Sequence, residues 1–213
     1  GAMFLTLLWT GCRKGEIFGL EWKNVDFEHD VIHIVRSYDC KHKIFKSPKS
    51  AAGYRDVPML PPVRKALLPL RKSDGLVFTV DGVNPFSDAS ADSALDSFLS
   101  MLERAVNGVE DPSHGQGFRA DRWAAHHPNE EWKTVCFNYH DLRATFATLL
   151  YDANVDVKSA QKFLGHSDVS ITLNIYTKLS QEQEEDSVSK MSSFTDSFSG
   201  STRGQVVQIA NYR

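Results

Sequence analysis

Cysteine is scarce in this chain. There are three in 213 residues, Cys12, Cys40 and Cys136, with no CxxC spacing. An odd, scattered set does not make a disulfide framework or a cysteine zinc ribbon, and a reduced, cytoplasmic protein is the simplest expectation. No apolar run approaches the ~20 residues of a membrane-spanning helix, so no membrane partner is expected. No stretch reads as a signal peptide or as an internal repeat, so neither is expected. Positive charge is not in excess either. Twenty-four Lys and Arg face 27 Asp and Glu, a net charge of −3, which argues against a protein that grips nucleic acid by overall basicity.

What is present is 41% hydrophobic, enough for a real core in one compact domain with an appendage. Residues 1–3 read as a cloning scar. Phe4 to Trp9 is apolar at once and reads as the end of a core helix, so the natural protein is expected to continue upstream. The charge is unevenly spread. Between Arg36 and Lys72 ten cations meet only Asp39 and Asp56, whereas Glu182, Glu184, Glu185 and Asp186 gather later. A local basic face is compatible with the acidic balance.

Residues 14–22 read as a helix with Ile17 and Leu20 inward. "DVIHIVRS", "HKIFK" and "YRDVPM" read as three strands of a small antiparallel sheet, the first covered on both faces. Pro61-Pro62 opens a helix to about Leu70. Ser87 or Asp88 caps another, to about Val106. Residues 107–134, rich in Gly, Pro, His and charge, read as a long surface loop. Helices follow at Asn138–Leu150 and from an Asp156 cap to a stop at Gly165. Another begins near Ser167 or Asp168. Ser180 with Gln183 forms a capping box for a separate tail helix, 181–199, striped with Val188, Met191, Phe194 and Phe198. Residues 205–210 offer one extra strand. The order predicts an α+β fold, mainly helical, with a small three-stranded antiparallel sheet.

Phosphodiester transfer without a metal needs a nucleophile, an anion clamp and an acid for the leaving oxygen. Arginine suits the clamp, because its planar fork binds two oxygens and keeps its charge. Arg13 stands at a helix start, and His140 and Arg143 lie three apart, on one helix face. Taken singly, each has a blander reading: a solvated cation for Arg13, a helix-start histidine for His140, a packing residue for Tyr176.

The constellation is more specific. "TGCRKGEIFGL", "KSAAGYRDVP", "HDLRATFATLL" and "LGHSDVSITLNIYTKL" occur in this order and together resemble the catalytic domain of the tyrosine recombinases of the lambda-integrase type. The resemblance covers about Leu5 to Leu179, within a catalytic domain placed at 4–180 and followed by a tail, 181–213. Residue by residue, it implies Arg13 and Arg143 as phosphate clamps. His140 would assist proton transfer and His166 would donate a hydrogen bond to the phosphate. Lys49 becomes the acid that protonates the departing 5′-oxygen, with Lys46 the alternative. Tyr176 becomes the nucleophile that forms a 3′-phosphotyrosyl bond. It implies no cofactor and no metal. It also implies site-specific integration or excision of a mobile element or prophage, with double-stranded DNA as partner. The assembly would be a tetramer on DNA with exchanged tails, or a monomer for the isolated chain. Arg13 rather than Lys14 should face the phosphate, with helix-start amides nearby. Two rival readings remain: a DNA-binding module of the same fold that no longer cuts, and a metal enzyme built on His114, His126, His127 and His140.

Overall fold

The computed structural model describes residues 1–48, 50–109 and 131–199, the side chains of 196–199 excepted. Lys49, most of the 107–134 segment and the strand expected at 205–210 lie outside the described residues.

Helix α1 (Ala2–Thr10) ends at Gly11, whose φ of 60° lies in the left-handed region. Alanine at Gly11 would place its Cβ 2.3 Å from a ring carbon of Phe146, so both conformation and space demand glycine. Met3, inside the expected scar, is helical and buried. Helix α2 (Lys14–Phe18) is shorter than expected. Its Gly15 and the Gly19 that closes it lie against the backbone of Ser37 and Tyr38, so the helix lies close upon an extended segment.

That segment is β3 (Ser37–Asp39), which pairs with β4 (Ile44–Lys46) as a separate hairpin. The three-stranded sheet is built instead from β1 (Val25–Asp26), β2 (Val31–Ile34) and β5 (Arg55–Pro58), in the order β1-β2-β5 and antiparallel throughout. "HKIFK" therefore joins the hairpin and not the sheet; all three of its paired residues are exposed, so it has no face to bury in a core. Strand β2 is covered on one side only. Ile32 and Ile34 are buried, but Val35 is exposed and His33 pairs with Asp56 at the surface, Nδ1 to Oδ1 at 2.7 Å.

Helix α3 (Pro61–Leu67) has its prolines in the first turn, as expected. Helix α4 (Asp88–Val106) is capped by Ser87, whose hydroxyl accepts from the Ser90 amide. Helix α5 (Tyr139–Asp152) is capped by Asn138, and α6 (Val157–Leu164) runs from the Asp156 cap to a left-handed Gly165. Helix α7 (Val169–Ser199) is one unbroken element. The Ser180–Gln183 capping box is not used. With no Gly or Pro between Gly165 and Gly200, continuing a helix costs less than nucleating a second one. Of the tail stripe, Val188, Met191 and Phe194 are well exposed. No described helix is long and apolar enough to cross a membrane.

Two apolar clusters result. The larger gathers α1, α2, the sheet, α3 and the start of α4. The smaller joins Phe146, Ala147 and Leu150 of α5 to Ala160 and Leu164 of α6, with Ile175 and Tyr176 of α7 packed on it. Arg143 lies at the seam between them, bonded to Gly11 on one side and Leu164 on the other.

Candidate active site

Arg143 crosses the seam. It is buried, and its guanidinium donates to two carbonyls from separate elements: Nη1 to Gly11 O at 2.6 Å and Nη2 to Leu164 O at 2.5 Å. Each carbonyl stands at a helix end closed by a left-handed glycine, so the backbone termination signals also set the arginine. Burial, then the neighbouring Arg13, lowers its pKa to about 10, which leaves it charged at neutral pH.

Arg13 immediately precedes α2, and its side chain is half exposed. Nη1 donates to Glu16 Oε1 at 3.0 Å and its amide to Glu16 Oε2 at 2.8 Å. Of the helix-start amides expected to favour an anion, that of Arg13 is taken by Glu16. Lys14 points elsewhere, 3.3 Å from Asp88 and above the Tyr139 ring.

Sequence reading missed the residue beneath Arg13. Arg55 is buried and grips Glu16 with both arms, Nη1 to Oε1 at 3.0 Å and Nη2 to Oε2 at 2.8 Å. Its Nε donates to Phe163 O at 2.8 Å, tying β5 to α6. A Cβ on Gly165 would lie 2.8 Å from Arg55 Nη1. The sequence carries a signal for it. Arg55 shares a strand face with the buried Val57, which places a charge where alternation demands a core residue.

His166 follows Gly165. Its Nδ1 is 2.9 Å from the hydroxyl of Thr172, and burial followed by the cations Arg143, Arg13 and Arg55 and by His140 drives its pKa down to about 4. The ring is therefore neutral near pH 7. His140 is exposed on the first turn of α5. Of the histidines weighed for a metal, it alone is described; His114, His126 and His127 lie outside the described residues.

Tyr176 is not brought to the arginines. Its hydroxyl donates to Val155 O at 3.0 Å, and its ring meets Tyr151 edge-on at 5.2 Å. Burial, then Asp156, raises its pKa. Lys49 is outside the described residues. Lys46 donates to Asp39 at 2.5 Å and lines an open cleft of about 620 Å³ with Arg13, Ser37, Ser50 and Ser167. A larger hollow of about 880 Å³ around Trp22, Arg64 and Arg71 contains none of the candidate residues.

A family model described as the phage integrase family matches residues 1–183. A XerC-like tyrosine recombinase of Caldanaerobacter subterraneus subsp. tengcongensis is 27% identical over 88% of this chain and 47% of its own length. The transposase from transposon Tn916 of Enterococcus faecalis is 28% identical over 81% of this chain and 40% of its own. The chain thus spans about half the length of the curated relatives it matches. Among solved structures, the Tn1549 transposon integrase in complex with circular intermediate DNA shares the fold, with a TM-score of 0.60 at 22% identity over 85% of this chain and 58% of that one.

Proposed function

The chain belongs to the phage integrase family, and we propose that it carries out site-specific recombination of a mobile element or prophage by breaking and rejoining DNA strands through Tyr176. The observation that carries this reading is the reach of Arg143 to the carbonyls of Gly11 and Leu164, which brings the chain beside Arg13 and the chain beside His166, far apart in sequence, to one guanidinium.

In this reading Arg13 and Arg143 hold the non-bridging oxygens of one phosphate. Arg13 is accessible, and Arg143 is held in place by the carbonyls of Gly11 and Leu164. Preorganised donors of this kind are worth about 3 kcal/mol each as charge builds on the pentacoordinate phosphorus. His166 donates a hydrogen bond, His140 assists removal of the phenolic proton, and Lys49 protonates the 5′-oxygen as it leaves. Tyr176 must first give up the Val155 carbonyl and swing towards the arginines. Its raised pKa means that it arrives protonated, so deprotonation has to accompany attack. The 3′-phosphotyrosyl bond keeps the energy of the broken phosphodiester for rejoining.

Double-stranded DNA in the cytoplasm is the substrate in this reading, and protomers assemble as a tetramer that exchanges tails. The exposed Val188 and Met191 support that exchange. The test is a nicked duplex that carries the ends of the element flanking the gene, designed to trap the covalent product. Wild type should give a protein–DNA adduct that survives denaturant, and Tyr176→Phe should give none while still binding. An adduct from the phenylalanine variant removes Tyr176 as nucleophile. Binding without any adduct from wild type favours a module that no longer cuts.

A further inference from the structure

Thr172 is wholly buried, on the first turns of α7, and the sequence gives it no role. Its hydroxyl stands 2.9 Å from His166 Nδ1. We propose that Thr172 is a positioning residue that fixes the tautomer of His166, donating to Nδ1 so that Nε2 carries the ring proton and presents it to the phosphate. The inference deepens the recombinase reading and rests on it for the identity of the anion.

The argument is one of hydrogen-bond accounting. Among the described residues, Nδ1 is the partner shown for the Thr172 hydroxyl. If that hydroxyl merely accepted, its own proton would be left without an acceptor in a dry site, which is strongly unfavourable. Donating to Nδ1 satisfies both groups. A ring whose Nδ1 accepts must, when neutral, bear its hydrogen on Nε2. The ring is neutral here, because burial and the surrounding cations suppress its protonation. Without Thr172 the neutral ring would be free to present the Nε2 lone pair to an anion, which repels.

The remaining freedoms of His166 are already removed. Its amide donates to Gln161 O at 3.1 Å, and its carbonyl accepts from Gln161 Nε2 at 3.1 Å. Rotation and tautomer of the ring are what is left to fix. Thr172 also lies four residues before Tyr176, on the same side of the same helix, so one element sets both the donor and the nucleophile.

The test reads the ring nitrogens directly. The 213-residue chain is labelled with ¹⁵N-histidine, and the His166 signals are assigned by their loss in His166→Gln. Near pH 7 the wild type should show an unprotonated Nδ1 and a protonated Nε2. Thr172→Ser should keep that pattern. Thr172→Val should admit the Nδ1–H form and slow adduct formation on the nicked duplex by about tenfold, with DNA binding retained. A wild-type ring protonated on Nδ1, a valine variant with an unaltered ring pattern, or one with an unaltered rate overturns the proposal. Should the valine variant not fold, the wild-type and serine spectra still decide. Failure of the recombinase reading looks different: no covalent product, with the ring pattern intact.

Discussion

Arg55 meets Glu16 as a fork on a fork, two parallel hydrogen bonds of 3.0 and 2.8 Å inside the protein. Glu16 in turn holds both the side chain and the amide of Arg13. The exposed arginine of the site therefore inherits its position from a buried one 42 residues later in the chain.

Removing one partner of such a pair leaves a buried charge uncompensated, which costs about 3–5 kcal/mol. Arg55→Ala should lose about that much in urea unfolding. The double variant Glu16→Leu/Arg55→Met should recover most of it, since an apolar replacement of similar volume removes the desolvation cost as well. A double variant no more stable than the single one would show that the pair is not the source of the loss.

Acid should destabilise the fold in two steps. The pKa of His166 is about 4 when folded against an ordinary 6.5. Between those values the unfolded chain binds a proton that the folded chain refuses, so stability falls as pH falls through this window. Burial alone would raise the pKa of Glu16, but the hydrogen bond and charge of Arg55 outweigh it and the net shift is downward. Its contribution is complete above 4.5 and is lost below that. His166→Gln should flatten the stability profile between pH 6.5 and 4 by up to about one proton. An unchanged slope would refute the assignment.

Gly165 has a φ of 65° and no room for a Cβ beside Arg55. Gly75 also has positive φ but open space around it. Both alanine variants should lose the ~1–2 kcal/mol of a left-handed backbone. Gly165→Ala should lose more, and it alone should weaken covalent attachment to DNA. Equal thermal shifts for the two variants would mean that Arg55 simply moves aside.

Lys46 and Lys49 separate by leaving group. If Lys49 is the acid, Lys49→Ala slows cleavage at a normal 5′-oxygen and much less at a bridging 5′-sulfur, which departs without a proton. Lys46, held by Asp39, should slow both substrates alike when replaced by alanine. The reverse pattern would transfer the acid role to Lys46.

Local signals were readable in the sequence wherever a few neighbouring residues decide the outcome. The caps at Ser87 and Asp156 and the stop at Gly165 form where their side chains and left-handed preference dictate, whereas Asn138, read as the first helical residue, proves to be a cap. The Ser180–Gln183 box misled, because a cap acts only where something else breaks the helix. The i, i+3 spacing of His140 and Arg143 was legible, but not that one is exposed and the other buried. That depends on Gly11 and Leu164 arriving from distant parts of the chain. The Glu16–Arg55 pair escaped for the same reason. The resting partner of Tyr176, a backbone carbonyl, carries no side-chain signature at all.

The unbroken α7 gives the molecule a lever. Tyr176 and Phe194 are separated by 18 residues of one helix, about 27 Å. Tilting that rod by some 10° about its seat on α6 would sweep the distal end through roughly 5 Å while turning the phenol only slightly. Whatever seizes the far end thus has mechanical advantage over the near one, and a gentle pull at the periphery becomes a fine adjustment at the phenol.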